Sequence, residues 1–210
     1  MTGVQTCALR SGTFYLNTFG EIAYYQPDSA GQKTYAYIID ADSGTGLKNK
    51  LTLRVFTSTQ EIKNYEVADK VNIDGTVYKN GSKMLDALNI LGIKQVVRLV
   101  LNHEGRISEI DTPYTGDNES ANSLNIIPGF ENSTAIFYHT DSLMGGTISL
   151  LNNCFVFVVP TDFDEDQLRV VTAREFMLLD AYSYQGYPVT AYRTNEYSSF
   201  AEAVVVTKKF

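Results

Sequence analysis

The chain has no tryptophan, and its 210 residues include only two cysteines, two histidines and five prolines. Two thiols, Cys7 and Cys154, cannot build a disulfide framework or a four-ligand zinc site. So low a thiol count suits a cytosolic protein, and equally a bacterial surface protein that avoids cysteine. Basic residues are the minority: 17 Lys and Arg against 24 Asp and Glu leave a formal charge of −7. That balance argues against nucleic acid as a partner, because phosphate backbones are gripped by clustered Lys and Arg. No apolar run approaches the ~18 residues that a membrane-spanning helix needs. No stretch announces an active site, and none calls for a cofactor.

What the chain does have is a repeated hairpin, among 14 Tyr and 11 Phe. Leu16-Asn17-Thr18-Phe19-Gly20-Glu21-Ile22 returns as Leu101-Asn102-His103-Glu104-Gly105-Arg106-Ile107. Both are flanked by strand-forming residues. Asn at the first position of a type I turn bonds its own backbone, and Gly accepts the left-handed conformation at the fourth. Phe56-Thr57-Ser58-Thr59-Gln60-Glu61-Ile62 keeps the frame with Gln in place of Gly. Asp74-Gly75 is the strongest two-residue hairpin signal of the chain.

Between these turns the apolar period is two. Leu51, Leu53 and Val55 alternate with Thr52, Arg54 and Phe56, while Thr34 to Asp42 carries apolar groups on both faces. Met84, Leu85, Leu88 and Leu91 share one face of a short helix over Lys83 to Leu91, capped by Ser82 and stopped at Gly92. Pro113 to Asn132 is polar and without period, which marks a long loop or a module boundary. Beyond it, Ala135 to Ser142 weakly echoes Ala36 to Ser43. Strands follow at Ser133 to Tyr138, Thr147 to Leu151, Phe155 to Val159 and Leu168 to Val171. A helix over Thr172 to Ala181, capped by Thr172, precedes a closing pair, Tyr187 to Arg193 and Glu202 to Lys208. The expected class is all-β, antiparallel hairpins forming barrels or sandwiches with one or two short helices. The expected modules are 12–113 and 131–210, with the hairpin 13–26 readable as the remnant of a module upstream.

Chemistry-bearing residues are few. Asp162, Asp164 and Asp166 open with the spacing of an EF-hand loop, but its sixth and twelfth positions are Gln167 and Ala173 rather than Gly and Glu. A solvated acidic loop accounts for them better, so no metal site is expected. Asp40, Asp42 and Gly44 read as a polar strand end. His103 sits in a hairpin turn and His139 at a strand end, and neither has a nucleophile signature beside it. Cys154 reads as a small buried hydrophobe. Tyr182, Tyr184, Tyr187, Tyr192 and Tyr197 offer a candidate face for sugar stacking or partner binding.

The hairpin Val100 to Thr112, the segment Phe56 to Ala68 with Val71-Asn72-Ile73-Asp74-Gly75, and the ending Tyr187 to Tyr192 with Ala201 to Val206 resemble a known group. They are similar to β-rich regions accompanying S-layer homology domains in surface proteins of Clostridia and related Gram-positive bacteria. The S-layer homology motif itself is not in this chain. The resemblance implies an extracellular protein of the cell wall or surface layer, non-catalytic, whose β modules act as structural or interaction units. Its partners would be cell-wall polysaccharide or other surface-protein domains. The alternatives are a polysaccharide-binding module using the tyrosine-rich face and a hydrolase built on a β scaffold. Residues 1–11 resemble translated sequencing-adapter read-through, as in metagenomic gene models, which would make the sequence a fragment of a longer protein; a disordered native N-terminus is the other reading.

Overall fold

The structure, a computed structural model, describes residues 12–17, 19–27, 33–44, 50–79, 81–91, 93–113, 124–138, 143–179, 185–195 and 197–209. Residues 1–11 lie outside them, as do His139, Tyr182 and Tyr184. The first hairpin, β1 (Gly12–Leu16) and β2 (Ile22–Pro27), forms a two-stranded sheet of its own.

The next five long strands close on themselves. They are β3 (Lys33–Ser43), β4 (Leu51–Thr57), β5 (Ile62–Ile73), β7 (Val96–Leu101) and β8 (Ile107–Asp111). β3 pairs β4, β4 pairs β5, β5 pairs β8, β8 pairs β7, and β7 returns to β3. A short β6 (Thr76–Tyr78) folds back on β5 across Asp74-Gly75. Both turn residues have positive φ, +47° and +81°, as a type I′ turn requires. The helix α1 (Gly81–Leu91) then crosses to β7 and adds Met84 and Leu88 to the interior. It starts at Gly81, so Ser82 lies inside the first turn rather than capping it. The two-residue period sorts the strands: Leu51, Leu53 and Val55 point inward with no exposure, while Thr52 and Arg54 between them are part-exposed.

The second half repeats this circuit. Its first strand is split into β10 (Ser133–Ala135) and β11 (Phe137–Tyr138); β12 (Leu143–Met144) and β13 (Ile148–Pro160) follow. Then come the short β14 (Arg169–Thr172), the helix α2 (Ala173–Leu179), β15 (Tyr187–Arg193) and β16 (Phe200–Lys208). β11 pairs β12, β12 pairs β13, β13 pairs β16, β16 pairs β15, and β15 pairs β10. One further strand, β9 (Asn125–Ile126), pairs β15.

Numbering the long strands of either half one to five, both have the cyclic order 1-2-3-5-4, with a short strand and a helix between three and four. The likeness extends to an irregularity. Between Val67 and Asn72 five steps of β5 oppose two steps of β8, from Ile107 to Glu109. Between Leu150 and Phe155 five steps of β13 oppose two of β16, from Ala201 to Ala203. The two halves are copies of one barrel. The order is that of the OB-fold barrel, a superfold that hosts unrelated functions and so assigns none by itself.

The all-β expectation with two short helices holds. Within it, each barrel contains one parallel pair, β5 with β8 and β13 with β16, because the helix crossover carries the chain back across the barrel. The echo between Ala36–Ser43 and Ala135–Ser142 falls on the first strand of each copy. The pairing places Ala135 where Ile38 stands, two residues from the sequence match. The polar stretch 113–132 is not all loop: Leu124 and Ile127 are buried, and β9 between them joins the second sheet.

Each half has its own interior. That of the first gathers Ile38, Leu53, Val71, Leu88, Leu99 and Ile107 among others; that of the second gathers Phe137, Met144, Val156, Phe176, Ala191 and Val204. A third buried cluster takes residues from both, and it is where the two barrels meet.

Candidate functional site: the junction between the barrels

The junction begins from strands that are apolar on both sides. In β3, Ala36 and Ile38 fill the first barrel, while Tyr37 and Ile39 alternate outward and are equally buried. Phe56 and Val96 join them on the outside of β4 and β7. The second barrel answers with Phe157, Val159, Leu168, Val170, Tyr192 and Ala203 from the outer side of β13 to β16, and Leu124 is enclosed between. Phe56 meets Phe157 edge-on with centroids 6.3 Å apart. The contact is heterologous: strands one, two and four of one copy meet strands three, four and five of the other.

Polar groups ring this layer. The Tyr35 hydroxyl donates to Glu202 Oε2 at 2.7 Å, and the Thr194 amide and hydroxyl donate to Oε1 at 2.9 and 2.6 Å. The Tyr35 ring also packs on Phe155 at 5.8 Å, with the Arg98 guanidinium 5.8 Å from its centroid. Burial pushes the Glu202 carboxyl up, but the bonds from Thr194 and Tyr35 and the Arg98 charge outweigh it. Glu202 therefore lies below the usual carboxylate value. Burial and the Glu202 carboxylate both push the Tyr35 phenol upward, so the hydroxyl keeps its proton to donate. The Tyr192 side chain, raised by burial, has a backbone hydrogen bond with Val96 across the junction.

At another side of the layer Arg54 grips Glu165, with Nε 3.2 Å from Oε2. Lys94 Nζ lies 4.2 Å over the Phe163 ring, which in turn is 6.2 Å from Tyr37. Lys94 and Phe163 have φ of +70° and +58°, the left-handed region that side chains avoid at about 1–2 kcal/mol each. Two strained residues from different barrels meet face to face. Their geometry is imposed by the packing that the strain opposes.

Beside the junction, in the first barrel, Lys33 bridges Glu109 at 2.8 Å and Asp111 at 2.9 Å, with Arg98 at 3.5 Å from Asp111. Burial raises the Asp111 carboxyl even against these cations. Asp74 accepts from the Thr112 amide at 2.8 Å and from its hydroxyl; burial raises this carboxyl too. These bonds consume the carboxylates in holding strand ends together.

The other residues singled out by sequence fall apart in space. Asp164 caps a short 3₁₀ turn, Glu165–Gln167, taking the Asp166 amide on Oδ1 and the Gln167 side chain on Oδ2. Among the described residues no group of three His, Cys, Asp or Glu is placed to hold a metal ion. His103 is exposed in its turn, and Asp40 and Asp42 are exposed on β3. Cys154 is buried in the second interior, where burial raises its thiol. The three described tyrosines of the candidate face, Tyr187, Tyr192 and Tyr197, do not share one face. Tyr192 is buried in the junction and Tyr187 packs on Phe137 and Phe176, leaving Tyr197, at 88% exposure, in the turn before β16.

The sequence signal for the junction was present at Thr34 to Asp42, a strand apolar on both faces. What it could not reveal was the partner. No protein-family model matches this chain, and no curated protein or solved structure is significantly similar to it.

Proposed function

We propose that this chain is a non-catalytic structural unit of a bacterial cell-surface protein: two copies of one barrel locked into a stiff pair. The observation that carries the reading is the junction. A flexible spacer would join its modules through a thin polar contact, the usual state between domains of one chain. Here whole aromatic side chains are buried between the copies, ringed by a tyrosine–carboxylate bond, an ion pair and a cation–π contact. Such a layer resists bending and transmits load from one barrel to the other. The resemblance to β regions of S-layer-type proteins supplies the location, the cell wall or surface layer.

The test is protease shaving of intact cells that carry the gene, with mass spectrometry of what is released. Peptides from 33–210 in the shaved fraction support a surface role. Recovery only after lysis overturns it.

A further inference from the structure

Because the halves are copies, each surface of one barrel has a counterpart on the other, and one counterpart pair differs sharply in chemistry. In the second barrel Tyr138, Leu143, Ser149 and Phe200 lie in a straight row across four neighbouring strands, each directly paired with the next. Tyr138 and Phe200 are 44% and 43% exposed, and Leu151, two residues along β13 from Ser149, is 43% exposed. Tyr197 stands on the turn leading into Phe200. The matching row of the first barrel is Asp42, Thr52 and Glu66, ending at Arg106, which reaches Glu66 at 3.6 Å. There Lys50 also pairs with Glu66, at 2.9 Å. The fold therefore does not require apolar groups in this row, since the other half fills it with three charged side chains and a threonine.

We propose that the row Tyr138–Ser149–Phe200, with Leu151 and Tyr197, binds an uncharged glycan chain. Three strand intervals separate Tyr138 from Phe200, about 14 Å along the sheet, so the row is extended rather than a single point. Aromatic rings offer flat apolar faces for the C–H faces of sugars, and a phenol adds a polar tip. Ser149, in the row between the two rings, supplies a hydroxyl, and Asn153, exposed further along β13, supplies an amide. Polyanions are disfavoured as occupants because the chain carries a net charge of −7. The row continues the outer side of β13 and β16 beyond the junction, whose nearest members on these strands are Phe155 and Glu202.

The experiment is isothermal titration of the intact chain with two probes, a β-1,4-linked N-acetylglucosamine hexasaccharide and a β-1,4-linked glucose hexasaccharide. Saturable binding of either is expected. Tyr138→Ala and Phe200→Ala should each weaken it about threefold to tenfold, the worth of one aromatic stacking contact. Both side chains are exposed, so unchanged thermal midpoints should confirm that the variants fold. Glu66→Ala, in the matching row of the first barrel, should bind as the parent does. Failure of both probes to bind overturns the proposal. So does binding that neither row variant weakens. Sedimentation showing a dimer that Phe200→Ala dissociates, without glycan binding, would make the row a contact between copies and likewise overturn it. None of these outcomes bears on surface location, which the shaving experiment tests separately.

Discussion

At the scale of single residues, the three related hairpins show how one turn tolerates different chemistry. Gly20, Gly105 and Gln60 all have positive φ, at +79°, +74° and +63°. Each donates its amide to the residue three earlier, at 3.0 Å. Asn17 and Asn102 accept two turn amides on the side chain; Thr57 accepts one, from Glu61 at 3.3 Å. Gly105 has open space where a Cβ would go, so Gly105→Val should cost about 1–2 kcal/mol from backbone strain alone. Gln60→Gly relieves that strain, and glycine's extra unfolded entropy returns roughly 0.5–1 kcal/mol of the gain. A net rise of roughly 0.5–1 kcal/mol is expected by urea denaturation. A loss on Gln60→Gly would show that the glutamine side chain is needed there.

Glu202 gives a prediction in pH. Its folded-state value is depressed below the ordinary 4.5, so its contribution is complete above that value and is lost as pH falls through the folded one. Glu202→Gln should lower stability at neutral pH by about 1.5–3 kcal/mol, the worth of hydrogen bonds to a charged group. The gap from the parent should narrow as the pH drops below about 4.5. Asp74 and Asp111 shift the other way and favour folding as they protonate, so only the difference between parent and variant isolates Glu202. A gap that stays constant from neutral pH to pH 3 would sink this account.

At the scale of elements, α2 was legible and α1 only in part. Thr172 and Glu175 form a capping box: the Glu175 amide donates to the Thr172 hydroxyl at 3.2 Å, and the Thr172 amide donates back to Glu175 at 2.8 Å. Thr172→Ala should cost about 0.5–2 kcal/mol and Thr172→Ser much less. Phe176, fully buried against Phe137 and Tyr187, should cost about 3–5 kcal/mol when cut to alanine. Equal losses for Thr172→Ala and Thr172→Ser, read from denaturant midpoints, would show that the cap contributes nothing. The split of the second barrel's first strand at Ile136 was not legible. Its pairing on one side is with β15 and on the other with β12, and no local pattern records which neighbour a residue faces.

At the scale of the molecule, closure explains why each half has an interior and the junction explains why they stay together. Fragments 33–113 and 124–210 should each fold, since each contains a complete barrel circuit. Mixed, they should form a 1:1 complex whose thermal transitions lie above those of the separate pieces, because the shared layer is exposed in both fragments. Phe157→Ala should weaken that complex more than it destabilises the second fragment alone. Two folded fragments that ignore each other on mixing would overturn the locked-pair reading.

Local chemistry in the sequence determined the turns, the strand period, the β class, the capped helix and even the two-faced character of β3. All of these are set by a residue and its near neighbours: an Asx side chain, a left-handed glycine, an alternation of apolar groups. Only the tertiary structure decided which strands are neighbours. Val67 and Ile107 pair across 40 positions, and Tyr35 finds Glu202 across 167. The likeness of the two halves was hidden for the same reason. Barrel interiors require only apolar volume at inward positions, so Leu53 and Met144, or Ile38 and Ala135, serve the same place without being alike. The likeness of the halves lies in the pairing register and not in the residues.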